Sequence, residues 1–150
     1  MLDIQKEKDH RGIEINKVGI KNLKYPIKVL DKKNGIQHTV ASINLYVGLH
    51  PYCRGIHMSR FIEIINEWKS EISFHSVSSL LNMVKTRLEA NSSFIEITFP
   101  FFIEKTAPVS KCSALVNYSC QINGASFPDD CIDIVSVTSI PICSVRCLSR

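Results

Sequence analysis

Within residues 39–49, apolar and polar side chains alternate, and this alternation restricts the possible folds of the chain more than its other features do. The apolar members of the series are Ala41, Ile43, Leu45, Val47 and Leu49. A period of two places them on one face of a strand, so the segment is predicted to be a strand with one buried and one partly wet face. Residues 18–29 are also β-compatible and lead into a Lys-Lys-Asn-Gly turn, which predicts a hairpin. Pro26 predicts that the first strand is an edge strand or is interrupted.

Two helical patterns follow the hairpin. From Ser59, the expected N-cap, to Trp68, apolar residues recur at the i, i+3, i+4, i+7 spacing of one helix face. Ser76 is expected to open a second helix that stops near Asn91. The apolar stripe of this second helix consists of Val77, Leu80, Leu81, Val84 and Leu88. Both stripes are predicted to be core.

Three further strands are predicted, over residues 93–103, 114–122 and 132–140. The element order is therefore ββααββ with an extra strand. Antiparallel hairpins that flank a helix pair predict a single α+β module, in which both helices cover one face of an antiparallel sheet. The other face is then free for subunits or ligands.

The composition is that of one globular domain, because 45% of the 150 residues are hydrophobic and 21% are charged. The net charge of +4 comes from scattered Lys and Arg residues, which argues against nucleic acid as a partner and suits a polyanionic small molecule. The polar N-terminus and the lack of an apolar run of membrane-spanning length predict a cytoplasmic protein with no membrane partner.

The six cysteines are expected to be reduced thiols, since nothing in the sequence implies an oxidising compartment. Four of them are expected to serve as small buried apolar residues: Cys53, Cys112, Cys120 and Cys131. Cys143 and Cys147 have i, i+4 spacing and could share a helical face. Two thiolates are nevertheless fewer than the three or four ligands of a usual zinc site.

Three strings narrow the possibilities further: VGIKNLKYPI at 18–27, GIHMSRFIEI at 55–64 and FPFFIEKTAPVS at 99–110. Together they resemble the N-terminal half of GTP cyclohydrolases of the type IB family, which belong to the folate and methanopterin pathways. QHTVA at 37–41 and VTS at 137–139 also match. The resemblance implies a tunnelling fold, in which modules assemble into a barrel as a homo-oligomer and active sites form between subunits.

On this resemblance the chain divides into a polar N-terminal segment over 1–17, a tunnelling-fold module over 18–140 and a divergent cysteine-containing tail over 141–150. Family members are about twice as long and contain two modules, so the chain is expected to be truncated.

The resemblance implies a hydrolase that converts GTP and water to 7,8-dihydroneopterin triphosphate and formate with a divalent metal, which is zinc, iron or manganese. Water must add at C8 of guanine, and a Lewis-acid metal and a proton-transferring group assist that step. The family's metal-ligand cysteine corresponds here to Pro141, which has no donor atom. Cys143 matches the family's catalytic cysteine. The remaining ligands and the purine-binding glutamate would lie beyond Arg150.

Two groups are candidate substrate-binding residues. His57, Ser59 and Arg60 lie at the start of the first predicted helix, where exposed N–H groups favour phosphate. The alternative for His57 is a structural hydrogen bond. Lys105 and Ser110, in the KTAPVS loop, form a second candidate phosphate contact, against the alternative of a solvated loop.

Two functions remain open. The first is a GTP cyclohydrolase subunit in which Cys143 transfers protons. The second is a non-catalytic tunnelling-fold remnant or assembly module without a metal site, which Pro141 favours. A weaker third option is another pterin- or purine-binding protein of the same fold.

Overall fold

The computed structural model describes residues 15–50, 56–68, 71–107, 110–129 and 131–140. Its elements are β1 Ile15–Asp31, β2 Gly35–Leu49, α1 Met58–Glu67, β3 Glu71–Ile72, α2 Phe74–Arg87, β4 Ser92–Thr106, β5 Ser113–Ser126 and β6 Ile132–Ser139. The six strands form one sheet in the order β3-β1-β2-β4-β5-β6. All neighbours are antiparallel except the short β3, which runs parallel to β1. The predicted α+β class is therefore confirmed.

The β1–β2 hairpin forms where the sequence predicts it. The Asp31 carboxylate accepts hydrogen bonds from the backbone N–H of Lys33 at 2.9 Å and from Asn34 Nδ2 at 3.0 Å. The backbone bond from Lys33 is the main reason why the pKa of Asp31 lies below its usual value. Gly35 ends the turn at φ 84°, a conformation that glycine adopts without steric cost.

Strand β1 is irregular, and its motif residues explain why. At Gly19 a Cβ would lie 1.9 Å from the carbonyl oxygen of Leu45, so the two backbones approach too closely for a side chain. Asn22 adopts φ 57° within the second of two register shifts against β2, the one between Ile20 and Leu23. Pro26 lies where β1 is an edge strand, because β3 pairs with β1 at Lys28 and Val29 alone. The edge position predicted from Pro26 is confirmed.

The start of α1 differs from the prediction. The N-cap is His57, in extended conformation, and its side chain makes no capping hydrogen bond to the helix. Ser59 lies inside the first turn, so the prediction that it caps the helix was wrong. The apolar face is as predicted, with Phe61, Ile64 and Ile65 buried.

Helix α2 begins three residues earlier than expected. Ser73 is the N-cap, and its hydroxyl accepts from Ser76 N at 3.1 Å while Ser73 N donates to Ser76 Oγ at 3.0 Å. This reciprocal pair is a capping box, so Ser76 supports the cap and the prediction that it opens the helix was wrong. The helix ends at Arg87, before the predicted stop at Asn91, whose N–H bonds to Gly48 O at 3.1 Å.

The core lies between the two helices and one face of the sheet. The predicted stripe of α2 is buried, with Val77, Leu80, Leu81, Val84 and Leu88 at most 6% exposed. Strands β2 and β4 supply the opposite layer through Ala41, Ile43, Leu45, Val47, Ile95, Ile97 and Phe99. Gly124 of β5 lies beneath α2, where a Cβ would lie 2.9 Å from both Leu81 Cδ1 and Ile95 Cγ2.

The sheet divides into two ribbons at one end. The β2–β4 pairing stops at Ser42 and Thr98, whereas β1–β2 pairing continues to the turn and β4–β5 pairing continues to Thr106 and Ser113. We call residues 99–106 with 113–120 the β4–β5 ribbon.

The outer edge of β6 has no strand beside it within the described part of the chain. Val135 and Val137 of β6 and the following Ile140 are exposed, by 57%, 48% and 61%.

No helix among the described residues is long and apolar enough to span a bilayer.

The cysteine prediction was wrong at two positions. Cys112 and Cys131 are exposed and Cys120 is half-buried, and all three are free thiols. Cys112 and Cys131 lie in connections at the ends of strands rather than in the core, which is why they are not buried. Cys53 lies outside the described residues.

Candidate functional site

The first candidate group lies on the first turn of α1. His57 and Arg60 are half-buried, Ser59 is exposed, and Arg60 N donates to His57 O at 3.1 Å. The first turn contains no acidic residue. An N-terminal turn with outward N–H groups, a nearby guanidinium and no competing carboxylate favours an anion.

The second candidate group lies at the outer end of the β4–β5 ribbon. Lys105 is exposed, and its ammonium lies 5.2 Å from the centre of the Tyr118 ring, close enough for a cation–π contact. Ser110 is exposed in the connecting loop, where Ala107 N donates to Cys112 O at 2.9 Å. Lys105, Ser110 and the neighbouring Lys111 are thus all exposed to solvent at this end of the ribbon.

The structure places the two groups on separate elements, α1 and the β4–β5 ribbon. The ribbon end lies beside the β1–β2 turn, because Lys33 Nζ is 3.7 Å from Glu104 Oε2. A hollow of about 530 Å³ at the end of α2 is lined by Asn82, Lys85, Thr86, Glu89 and Ala90, and none of the predicted site residues is in that lining.

The residues expected to carry the chemistry lie outside the described part of the chain. Cys143, Cys147 and Pro141 are all in this tail. Among the described residues, no three His, Cys, Asp or Glu side chains are grouped so that they could hold a metal ion. The described residues alone therefore supply no metal site, and no metal-dependent step follows from them.

Sequence reasoning missed the role of Gln37, although QHTVA was among the matching strings. The Gln37 side chain forms two hydrogen bonds to the backbone of Phe102 on the neighbouring ribbon. Pro100 was the available signal, since proline within a strand of an antiparallel sheet removes a ladder hydrogen bond that some other group can replace.

A six-stranded, largely antiparallel sheet covered on one face by two helices defines an α+β protein. Residues 1–146 match the family model described as type I GTP cyclohydrolase FolE2. The chain therefore belongs to the type I GTP cyclohydrolase FolE2 family.

Several curated relatives carry the name GTP cyclohydrolase FolE2. The protein of Desulfosudis oleivorans is 51% identical over 145 residues, which is 97% of this chain and 56% of that protein. The protein of Syntrophus aciditrophicus is 48% identical over 145 residues, which is again 97% of this chain and 56% of that protein. That of Syntrophotalea carbinolica is 44% identical over 150 residues, all of this chain and 56% of the relative. The chain thus spans about half the length of the curated relatives that it matches.

Proposed function

We propose that this chain is a substrate-binding and assembly module of a GTP cyclohydrolase, which converts GTP and water to 7,8-dihydroneopterin triphosphate and formate. The observation that carries the proposal is the family match over residues 1–146. The described residues provide anion-binding groups but no metal-binding cluster. Ring opening therefore requires groups that the described residues do not supply.

In this proposal the triphosphate of GTP is held from two sides. The first turn of α1 offers N–H groups, His57, Ser59 and the Arg60 guanidinium. The β4–β5 ribbon offers Lys105, and its connecting loop offers Ser110. Charge-assisted bonds to phosphate are among the stronger polar contacts. Because the resemblance implies active sites between subunits, we assign the two groups to different copies of the chain that meet around one ligand.

The proposal includes a homo-oligomer with the tunnelling fold, in which sheets join edge to edge. Its support is the uncovered edge of β6, with exposed Val135 and Val137, and the incompletely covered edge of β1. Unpaired strand edges present rows of N–H and C=O groups that favour strand addition. Two different edges joined head to tail give a heterologous interface, which generates a ring when the rotation between copies closes.

The proposal also assigns a divalent metal, which is zinc, iron or manganese, to donors outside the described residues, and proton transfer to Cys143. Pro141 occupies the position of a family metal ligand and has no donor atom. The proposed location is the cytoplasm.

GTP binding tests the proposal directly. Calorimetric titration of the purified chain with GTP is expected to show binding that Arg60→Ala and Lys105→Ala each weaken by about tenfold, because each removes a charge-assisted contact. Lys21→Ala, which removes another exposed cation from β1, is the matched control and should leave the affinity unchanged. Equal affinities for all four proteins would contradict the assigned contacts.

Mixing the two variants tests whether the site is shared between copies. If α1 and the ribbon come from different chains, co-refolded Arg60→Ala and Lys105→Ala chains regain intact sites, about a quarter of the total for random assortment. Sites built within one chain would regain none.

A second candidate function is the non-catalytic module, favoured by Pro141 at the ligand position. Formate release from GTP with added zinc, manganese or ferrous iron tests the non-catalytic alternative. The purified chain alone is expected to release little or none, and robust turnover would reject the non-catalytic alternative. In any active form, Cys143→Ala should abolish release, and unchanged release would reject the role of Cys143.

A further inference from the structure

The sheet divides beside Pro100, and the direction of its carbonyl group explains why. Pro100 O accepts a hydrogen bond from Thr39 Oγ1 of β2 at 3.1 Å, so the carbonyl of Pro100 faces β2. The N–H and C=O of one strand residue point to the same side, and proline has no N–H. The donor that β2 would need is therefore missing at this position, and the β2–β4 ladder ends nearby, at Ser42 and Thr98.

Two residues further along β4, a side chain replaces the missing ladder. Gln37 Nε2 donates to Phe102 O at 3.0 Å, and Phe102 N donates to Gln37 Oε1 at 2.8 Å. The carboxamide of Gln37 thus presents one donor and one acceptor to Phe102, as the backbone of a paired strand residue does. Gln37 is half-buried, and its own backbone belongs to the β1–β2 hairpin.

This contact fixes the β4–β5 ribbon at a point between the sheet and the ribbon's outer end. Phe102 lies three residues before Lys105, and the loop with Ser110 follows. A long two-stranded ribbon bends easily unless it packs against or bonds to another element. The bonds from Gln37 and Thr39 and the exposed ion pair between Lys33 and Glu104 link this ribbon to the β1–β2 hairpin.

We propose that Gln37 is a positioning residue, whose carboxamide holds the β4–β5 ribbon so that Lys105 and Ser110 face the phosphates of GTP. This inference rests on the proposed function for its ligand, whereas the hold of Gln37 on the ribbon stands on the structure alone. Gln37 acts through the ribbon and does not touch the ligand.

Amide hydrogen exchange measured by NMR on the full chain tests the hold without any ligand. Gln37→Leu keeps a side chain of similar size and removes both bonds, so exchange at Phe102 is expected to accelerate by between about twofold and tenfold, the range for one lost hydrogen bond. Gln37→Glu keeps the acceptor for Phe102 N and loses the donor to Phe102 O, and should give an intermediate rate. Gln121→Leu removes a glutamine on β5 that donates to Asn123 Oδ1 at 2.9 Å, and it should leave the exchange of Phe102 unchanged.

GTP affinity tests the consequence for binding. Gln37→Leu should weaken GTP binding several-fold, while Gln121→Leu should not. Since Gln37 acts through Lys105 and Ser110, adding Gln37→Leu to a Lys105→Ala, Ser110→Ala chain should cause little further loss. Full additivity of the two effects would overturn the positioning role.

Failure of the positioning role of Gln37 and failure of the proposed phosphate contact give different results. Unchanged exchange at Phe102 in Gln37→Leu would overturn the hold on the ribbon, even if Lys105→Ala weakens GTP binding. Unchanged GTP affinity in the Lys105→Ala, Ser110→Ala chain would reject the phosphate contact of the proposed function, and with it the role of Gln37 in binding. If Gln37→Leu does not fold, Gln37→Glu supplies both measurements.

Discussion

Asn22 donates its backbone N–H to the side-chain oxygen of Asn44 at 2.7 Å, which links the irregular part of β1 to the centre of β2. Asn44 in turn donates from Nδ2 to Glu96 Oε2 on β4 at 2.9 Å. One carboxamide therefore connects three strands, and it satisfies the N–H of a residue at φ 57°, which pairing with β2 leaves out of register.

Replacing Asn44 with Asp should destabilise the protein in a pH-dependent manner. Asp keeps an acceptor for the N–H of Asn22 but places a negative charge beside Glu96, in the position where Asn44 donates. We expect the free energy of unfolding, measured by urea unfolding, to fall by about 1–3 kcal/mol at neutral pH. In mild acid, where one of the two carboxylates gains a proton, the free energy of unfolding should fall by less. Asn44→Ala removes both bonds without adding charge, and its loss should not depend on pH in this way.

Gly19→Ala should be among the most damaging small substitutions. The added Cβ would lie 1.9 Å from Leu45 O, a backbone atom that cannot rotate away. The free energy of unfolding should fall by more than about 3 kcal/mol, or the chain should fail to fold, as judged by thermal unfolding. Gly35→Asn is the control, because Gly35 has open space and asparagine tolerates positive φ, so its cost should be about 1 kcal/mol or less. Similar losses for both substitutions would contradict the close approach of β1 and β2.

The capping box of α2 predicts different effects for two serines of the same helix. Ser73→Ala should cost about 1 kcal/mol, because it leaves Ser76 N without its acceptor. Ser79 is exposed within the helix, and Ser79→Ala should be neutral or slightly stabilising, since alanine favours helix. The midpoints of urea unfolding compare the two. A larger loss for Ser79→Ala would refute the assigned cap.

The pair of Glu67 and Arg87 predicts a pKa shift. Arg87 Nη1 donates to Glu67 Oε1 at 2.8 Å, and mainly this side-chain hydrogen bonding lowers the pKa of Glu67 and raises that of Arg87. A lowered pKa in the folded state means that the pair stabilises the fold above the ordinary glutamate range. That contribution is lost as the pH falls through the lowered pKa. NMR titration of the Glu67 carboxyl should show the shift, and Arg87→Met should return the pKa toward its usual value.

Arg60→Met is the control for that titration, because Arg60 lies at the opposite end of α1 from Glu67. It should leave the Glu67 titration unchanged. A Glu67 pKa that does not respond to Arg87→Met would show that another group causes the shift.

Much of the fold was predictable because its strands and helices have simple periods. The alternation in β2 and the apolar stripe of α2 both mark buried faces, because the spacing of apolar side chains within one element predicts which of its faces is buried. The caps were less predictable, because Ser73 and Ser76 are both acceptable cap residues. Which of them has extended backbone depends on how the chain leaves β3, and this is a tertiary property.

The candidate site was less predictable than the fold. Motif residues such as Gly19 and Pro26 serve the geometry of β1, although a motif alone does not separate structural from chemical roles. Gln37 was missed because a glutamine near a turn looks like an ordinary polar residue. Its partner Phe102 is 65 positions away, and only the folded sheet brings the two together.

Proline at position 100 has a consequence for the mechanics of the sheet. With any other residue there, a backbone donor would face β2, and pairing could extend outward along both hairpins. The strands β1, β2, β4 and β5 would then form one continuous sheet at this end. The missing hydrogen atom instead leaves the β1–β2 hairpin and the β4–β5 ribbon as two separate arms, and the resistance of this end of the sheet to bending depends on the side-chain hydrogen bonds of Gln37 and Thr39.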